Sequence, residues 1–175
     1  MKNIFCTLIC IVIFNITNAS SVTFSAMAMV AGTAEMGGAI MNQGSNLTII
    51  DCVISQCTAT GSAAAQGGGA IANINGTLTV TNSIISENTC TGASGSGGGI
   101  LNLDGGVLTV IDSEISGNSA NRAGGGIEHN AGATLVTLTN VNLDNNTTGN
   151  APGNGGGLHI TGPGNCNITG GTVSN

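Results

Sequence analysis

Four groups of side chains in this 175-residue chain are of types, and at spacings, that could do chemistry. Glu128, His129 and His159 form the first, because a carboxylate beside an imidazole can hold and pass a proton near neutral pH. Asp51 and Asp112, with Asn82 and Asn140 between and after them, form the second. Paired acids on an exposed face serve glycosidic cleavage and often bind Ca²⁺. Cys52, Cys57, Cys90 and Cys166 form the third; outside the cell they could join in any of three full pairings. Thr48, Thr79, Thr81, Thr109, Thr137, Thr139 and Thr169 form the fourth, a set of hydroxyls and methyls suited to meeting an ordered surface.

None of these groups is local. Asp51, Asn82, Asp112 and Asn140 are 31, 30 and 28 residues apart, and Glu128 and His159 are 31 apart. Only an element that returns about every thirty residues can bring them together. Such an element is written in the sequence as "GGAIMN" from 37, "GGAIAN" from 68, "GGGILN" from 97, "GGGIEHN" from 124 and "GGGLHI" from 155. A second row follows in the same order: "LTIIDCVISQC" from 47, "LTVTNSIISEN" from 78, "LTVIDSEISGN" from 108, "VTLTNVNLDNN" from 136 and "CNITGGTVSN" from 166.

Within each unit the alternation has period two, so Leu78, Val80 and Ile85 face one way and Thr79 and Thr81 the other. A unit with two or three short strands cannot bury its inner face alone, whereas coils stacked ~4.8 Å apart pair every strand with those above and below. The expected fold is all-β, a right-handed parallel β-helix of about five coils of 27 to 31 residues. Glycine then fits the corners, aliphatic side chains fill the bore, and Asn88, Asn118 and Asn146 align across three coils, with Cys57 in the equivalent place earlier.

Outward positions fall into two columns: Thr48, Thr79, Thr109, Thr137 and Asn167, and beside them Ile50, Thr81, Ile111, Thr139 and Thr169. This flat grid looks like the ice-binding face of a β-solenoid antifreeze protein; threonine is also common on exposed strands for packing reasons alone. Asp51, Asn82, Asp112 and Asn140 read as a hydrogen-bonded ladder of turns. Glu128 and His159 read as a surface cross-strand contact, and Cys166 as an inward core position. The segments 58 to 67, 89 to 97, 119 to 124 and 147 to 154 vary in length at one corner, making that edge a candidate partner surface.

Composition narrows the function classes. Lys2 and the apolar run from Ile4 to Phe14, followed by small residues, have the layout of a secretory signal. Residues 1–19 are expected to be a leader cut after Ala19, with Ala28 as the other candidate cut, and 20–175 a single domain with no membrane-spanning segment. Arg122 is then the one permanent cation against eight acidic side chains, which gives nucleic acid no electrostatic footing. No cofactor or metal is expected. Asn46, Asn75, Asn145, Asn146 and Asn167 begin N-glycosylation triplets, which matter in a eukaryotic secretory route.

The pairing of "GGAI" (37 to 40, 68 to 71) with "ISEN" (85 to 88), "ISGN" (115 to 118) and "LDNN" (143 to 146) resembles the GGA-aliphatic and FxxN repeats of chlamydial polymorphic outer-membrane proteins, with Ile or Leu where that family has Phe. The likeness covers roughly residues 37 to 175 and implies a β-helical, adhesin-like passenger shown at a cell surface. The function expected is therefore a non-enzymatic secreted or surface-displayed scaffold with a surface or protein partner. Ice binding through the threonine face is the alternative, and a fragment of a polysaccharide-active enzyme the third reading. The chain stops partway through a coil, as a fragment, a capped end or end-to-end self-association would.

Overall fold

Alternating β-branched and apolar residues between glycine-rich corners leave no stretch with a helical period, and the structure follows that pattern. A computed structural model describes residues 14–149 and 153–174, and strands are its only long regular elements. The first turn contains β1 (Phe14–Thr17), β2 (Val22–Ser25), β3 (Ala28–Val30) and β4 (Thr33–Ala34). The second contains β5 (Ile40–Gln43), β6 (Asn46–Ile50), β7 (Val53–Ser55) and β8 (Thr58–Ala59), and the third β9 (Ile71–Ile74), β10 (Thr77–Thr81), β11 (Ile84–Ser86) and β12 (Thr89–Cys90). Next come β13 (Ile100–Leu103), β14 (Val107–Ile111), β15 (Glu114–Ser116) and β16 (Ser119–Ala120), then β17 (Ile127–His129), β18 (Leu135–Thr139), β19 (Asn142–Asp144) and β20 (Thr147–Thr148). The last described strands are β21 (Leu158–Ile160), β22 (Asn165–Thr169) and β23 (Thr172–Ser174).

Strands in the same place in successive turns pair in parallel. Sheet I is β1-β5-β9-β13-β17-β21, sheet II β2-β6-β10-β14-β18-β22, sheet III β3-β7-β11-β15-β19-β23 and sheet IV β4-β8-β12-β16-β20. The chain is a parallel β-solenoid of about five turns. Leu47, Leu78, Leu108 and Val136 lie over one another in register, as do Ile49, Val80, Val110 and Leu138. All eight are buried in one continuous core with Ile54, Ile85 and Ile115. Each such aliphatic contributes roughly 1.5 to 3 kcal/mol before the cost of ordering the chain.

Single residues make the corners. Between sheets II and III, Ala26, Asp51, Asn82, Asp112 and Asn140 hold φ of 52°, 54°, 47°, 48° and 52°. Asn and Asp tolerate this left-handed region better than other side chains because they bond locally. Gly68 opens the "GGAIAN" unit with φ 69°, and a Cβ there would run into the carbonyl of Ile71.

Two features differ from the sequence reading. Each complete turn has four strands, because Thr58–Ala59, Thr89–Cys90, Ser119–Ala120 and Thr147–Thr148, at the heads of the expected loops, pair as sheet IV. Two-residue strands are too short to show a period. In the full chain, moreover, Phe14–Thr17, part of the expected leader, adds a strand to β5 with Ile16 opposite Asn42.

The aligned asparagines behave as expected. Asn88 Nδ2 donates to Asn118 Oδ1 at 2.9 Å, and Asn118 Nδ2 donates to Asn146 Oδ1 at 3.0 Å. The Cys57 backbone N–H joins the row by donating to Asn88 Oδ1 at 2.9 Å. All four residues are buried.

Candidate functional site

The outer face of sheet II is the site on which the register acts most directly. Thr48, Thr79, Thr109 and Thr137 pair in succession, with Thr23 below and Asn167 above. Ile50, Thr81, Ile111, Thr139 and Thr169 form the adjacent column, which begins at Ser25. A third column, missed in the sequence, runs Asn46, Thr77, Val107, Leu135 and Asn165. None of these outward side chains carries a charge. Neighbours lie ~4.8 Å apart between turns and ~6.7 Å apart along a strand, and the paired backbone beneath fixes both spacings.

At the corner between sheets II and III the acids are held in pairs. Asn82 Nδ2 donates to Asp51 Oδ1, and Asn140 Nδ2 donates to Asp112 Oδ1 at 3.0 Å. Asp51 and Asp112 stand two turns apart, ~10 Å, so each carboxylate is engaged with the amide of an adjoining turn rather than with the other acid. Just inside this corner, the hydroxyls of Ser83 and Ser113 accept the backbone N–H groups of Cys52 and Ser83, each at 3.1 Å.

Comparisons of the chain with family models, curated proteins and solved structures give no match.

Glu128 is where the structure corrects the sequence. It does pair in register with His159, but its side chain is 0% exposed, so this is no surface contact. His159 Nδ1 lies 2.8 Å from Glu128 Oε2, and Thr161 Oγ1 donates to Glu128 Oε1 at 3.2 Å. Ala72 and Leu101, which precede Glu128 in the same outward column, are also fully buried. A nonlocal roof accounts for this. The segment after β8 crosses sheet I until the Ala64 carbonyl accepts from Asn130 Nδ2 at 3.1 Å, a contact spanning 66 residues. Later loops stack on it, Ser94 N–H donating to the Ser62 carbonyl and Ser96 N–H to the Gln66 carbonyl. The variable corner thus folds back over sheet I.

His129 holds a second position, one the sequence analysis did not single out. Its strand pairing sets it opposite Asn102, as the spacing of "GGGILN" and "GGGIEH" also does. Asn42 Nδ2 donates to Asn73 Oδ1 and Asn73 Nδ2 to Asn102 Oδ1, both at 2.7 Å, and Asn102 Nδ2 lies 3.1 Å from His129 Nδ1. Because Asn102 donates, Nδ1 accepts and the ring proton sits on Nε2. Among the described residues, the buried side-chain atoms without a partner are Asn42 Oδ1 and His129 Nε2, the two ends of this row.

Burial pushes the His129 imidazole below its ordinary pKa of 6.5. The folded chain therefore keeps it neutral while the unfolded chain takes up a proton, and stability falls as pH drops below 6.5, by at most about 1.4 kcal/mol per pH unit. His129→Asn should keep the row and flatten this limb. The check is urea unfolding at several pH values between 7.5 and 5; an equal acid slope in both proteins would refute it.

The four cysteines among the described residues are free thiols; Cys52, Cys57 and Cys90 are buried and Cys166 is exposed. Cys57 stands in the row of Asn88 and Cys90 in that of Ala59, two residues out of step. Cys166 continues the inward column of Val136 but lies on the last described turn, with no described turn over it.

Proposed function

We propose that the protein is a non-catalytic, exported β-solenoid that serves at or beyond the cell surface as a rigid, adhesin-like scaffold. The observation that carries this reading is the outer face of sheet II, with three uncharged columns locked in register over the stacked turns. A surface of this kind meets a partner without rearranging, so little ordering entropy opposes contact. The resemblance of the GGAI and ISEN segments to polymorphic outer-membrane protein repeats supports display at a surface. The pairing of Asp51 with Asn82 and of Asp112 with Asn140 favours a structural part for the corner acids over one in polysaccharide cleavage.

The unbroken threonine column from Thr23 to Thr137 favours ice as a second occupant of the same face. One pair of substitutions serves both readings. Thr79→Lys with Thr109→Lys puts two charges at the centre of the face and leaves the core intact. Beads coated with the exported protein are expected to be held on glass, cellulose or cell monolayers, and the double variant is expected to lose that retention. Thermal hysteresis in the wild type, abolished in the variant, would replace adhesion by ice binding. Cleavage of an acidic polysaccharide that Asp112→Ala abolishes would overturn both.

A further inference from the structure

We infer that the Ala19–Ser20 peptide bond is a processing site and that β1 is a strand the working protein does not keep. The inference rests on the export reading above. Its support is the row of buried amides in sheet I. Asn73 Oδ1 and Asn102 Oδ1 each accept from the asparagine of the preceding turn at 2.7 Å. Asn42 Oδ1 has no such donor, because the residue paired opposite Asn42 in the first turn is Ile16. A buried carbonyl facing a hydrocarbon side chain is a defect that folded proteins seldom retain. Removing Phe14–Thr17 opens Asn42 Oδ1 to water, while Asn42 Nδ2 keeps the Ser45 carbonyl at 3.0 Å and Asn73.

The other strands of the first turn have ladder partners of their own. β2, β3 and β4 pair with β6, β7 and β8. The scissile bond lies in the corner between β1 and β2, where Asn18 is exposed with φ 50° and Ser20 and Ser21 are exposed. Thr17 and Ala19 supply small residues at the third and first positions before the bond, after the apolar run, which suits an endopeptidase of the signal-processing class. Hydrolysis adds one water across the bond, leaving a carboxyl on Ala19 and an amine on Ser20. What is given up is the β1–β5 ladder, with the Phe14 and Asn18 N–H bonds to the Ala39 and Gln43 carbonyls at 2.9 Å each, the buried Ile16 side chain, the Phe14 ring packed on Phe24, centroids 4.6 Å apart, and the Ala19 N–H bond to Ser45 Oγ at 2.7 Å.

The test is expression of the full chain in a secreting host, followed by intact mass and N-terminal sequencing of the exported protein. A start at Ser20 is expected. Exported protein that begins at Met1, or at Met29 after a cut behind Ala28, would overturn the inference and leave the export reading standing. A pool held wholly inside the cell would overturn both. A second variant tests the cause: Ile16→Asn in the uncut chain, made without export, gives Asn42 Oδ1 its missing donor and is expected to raise Tm. A Tm that is lower or unchanged would show that Ile16 is a proper core residue and sink the argument.

Discussion

Asn118→Ala is expected to destabilise the fold by about 3 to 6 kcal/mol, read from the midpoint of urea unfolding with little change in slope. Asn118 works in both directions. Its Nδ2 donates to the Ile85 carbonyl at 2.9 Å and to Asn146 Oδ1 at 3.0 Å, and its Oδ1 accepts from the Asn88 backbone N–H and from Asn88 Nδ2, both at 2.9 Å. Alanine leaves the Ile85 carbonyl and the Asn88 N–H buried without these partners, at about 1 to 3 kcal/mol each, and adds a small cavity. Cys57→Asn tests the opposite sign, since it extends the same row by one amide. A loss below about 1 kcal/mol in Asn118→Ala would mean that the row is incidental to folding.

The second large effect concerns Glu128. His159→Ala removes the donor 2.8 Å from a carboxylate that has no exposure, and Thr161 alone remains to bond it. A buried charge stripped of its partner costs about 3 to 5 kcal/mol. Glu128→Leu should behave differently, neutral or stabilising by up to about 4 kcal/mol, because an apolar side chain suits a column already holding Ala72 and Leu101, and the partly exposed His159 can turn to water. Thermal or urea unfolding of both variants decides the point. Equal destabilisation by the two would mean that the carboxylate matters for more than its pairing.

Period-two segments such as "LTVTNSIISEN" made sheets II and III legible, because inward Leu78, Val80 and Ile85 alternate with outward threonines over enough residues to show the pattern. The row of Asn88, Asn118 and Asn146 was equally plain, each standing three residues after an inward aliphatic. Sheet I was harder to read. His129 continues a row of asparagines without being one, so its residue type hides the place that its spacing gives it. The burial of Glu128 could not be read locally, since its roof comes from Ala64 and its neighbours, 66 residues from the Asn130 that anchors it. Phe14–Thr17 carries the hydrophobicity of a leader and the register of a strand, and those two signals are the same letters.

The ladder bonds that join one turn to the next run along the stack, and so do the side-chain bonds of Asn88, Asn118 and Asn146. Tension applied end to end therefore crosses the interfaces one after another, while within any interface the sheets share it side by side. Such a filament is only as strong as its weakest interface, however many turns it has, and extra turns would add reach without loss of tensile strength.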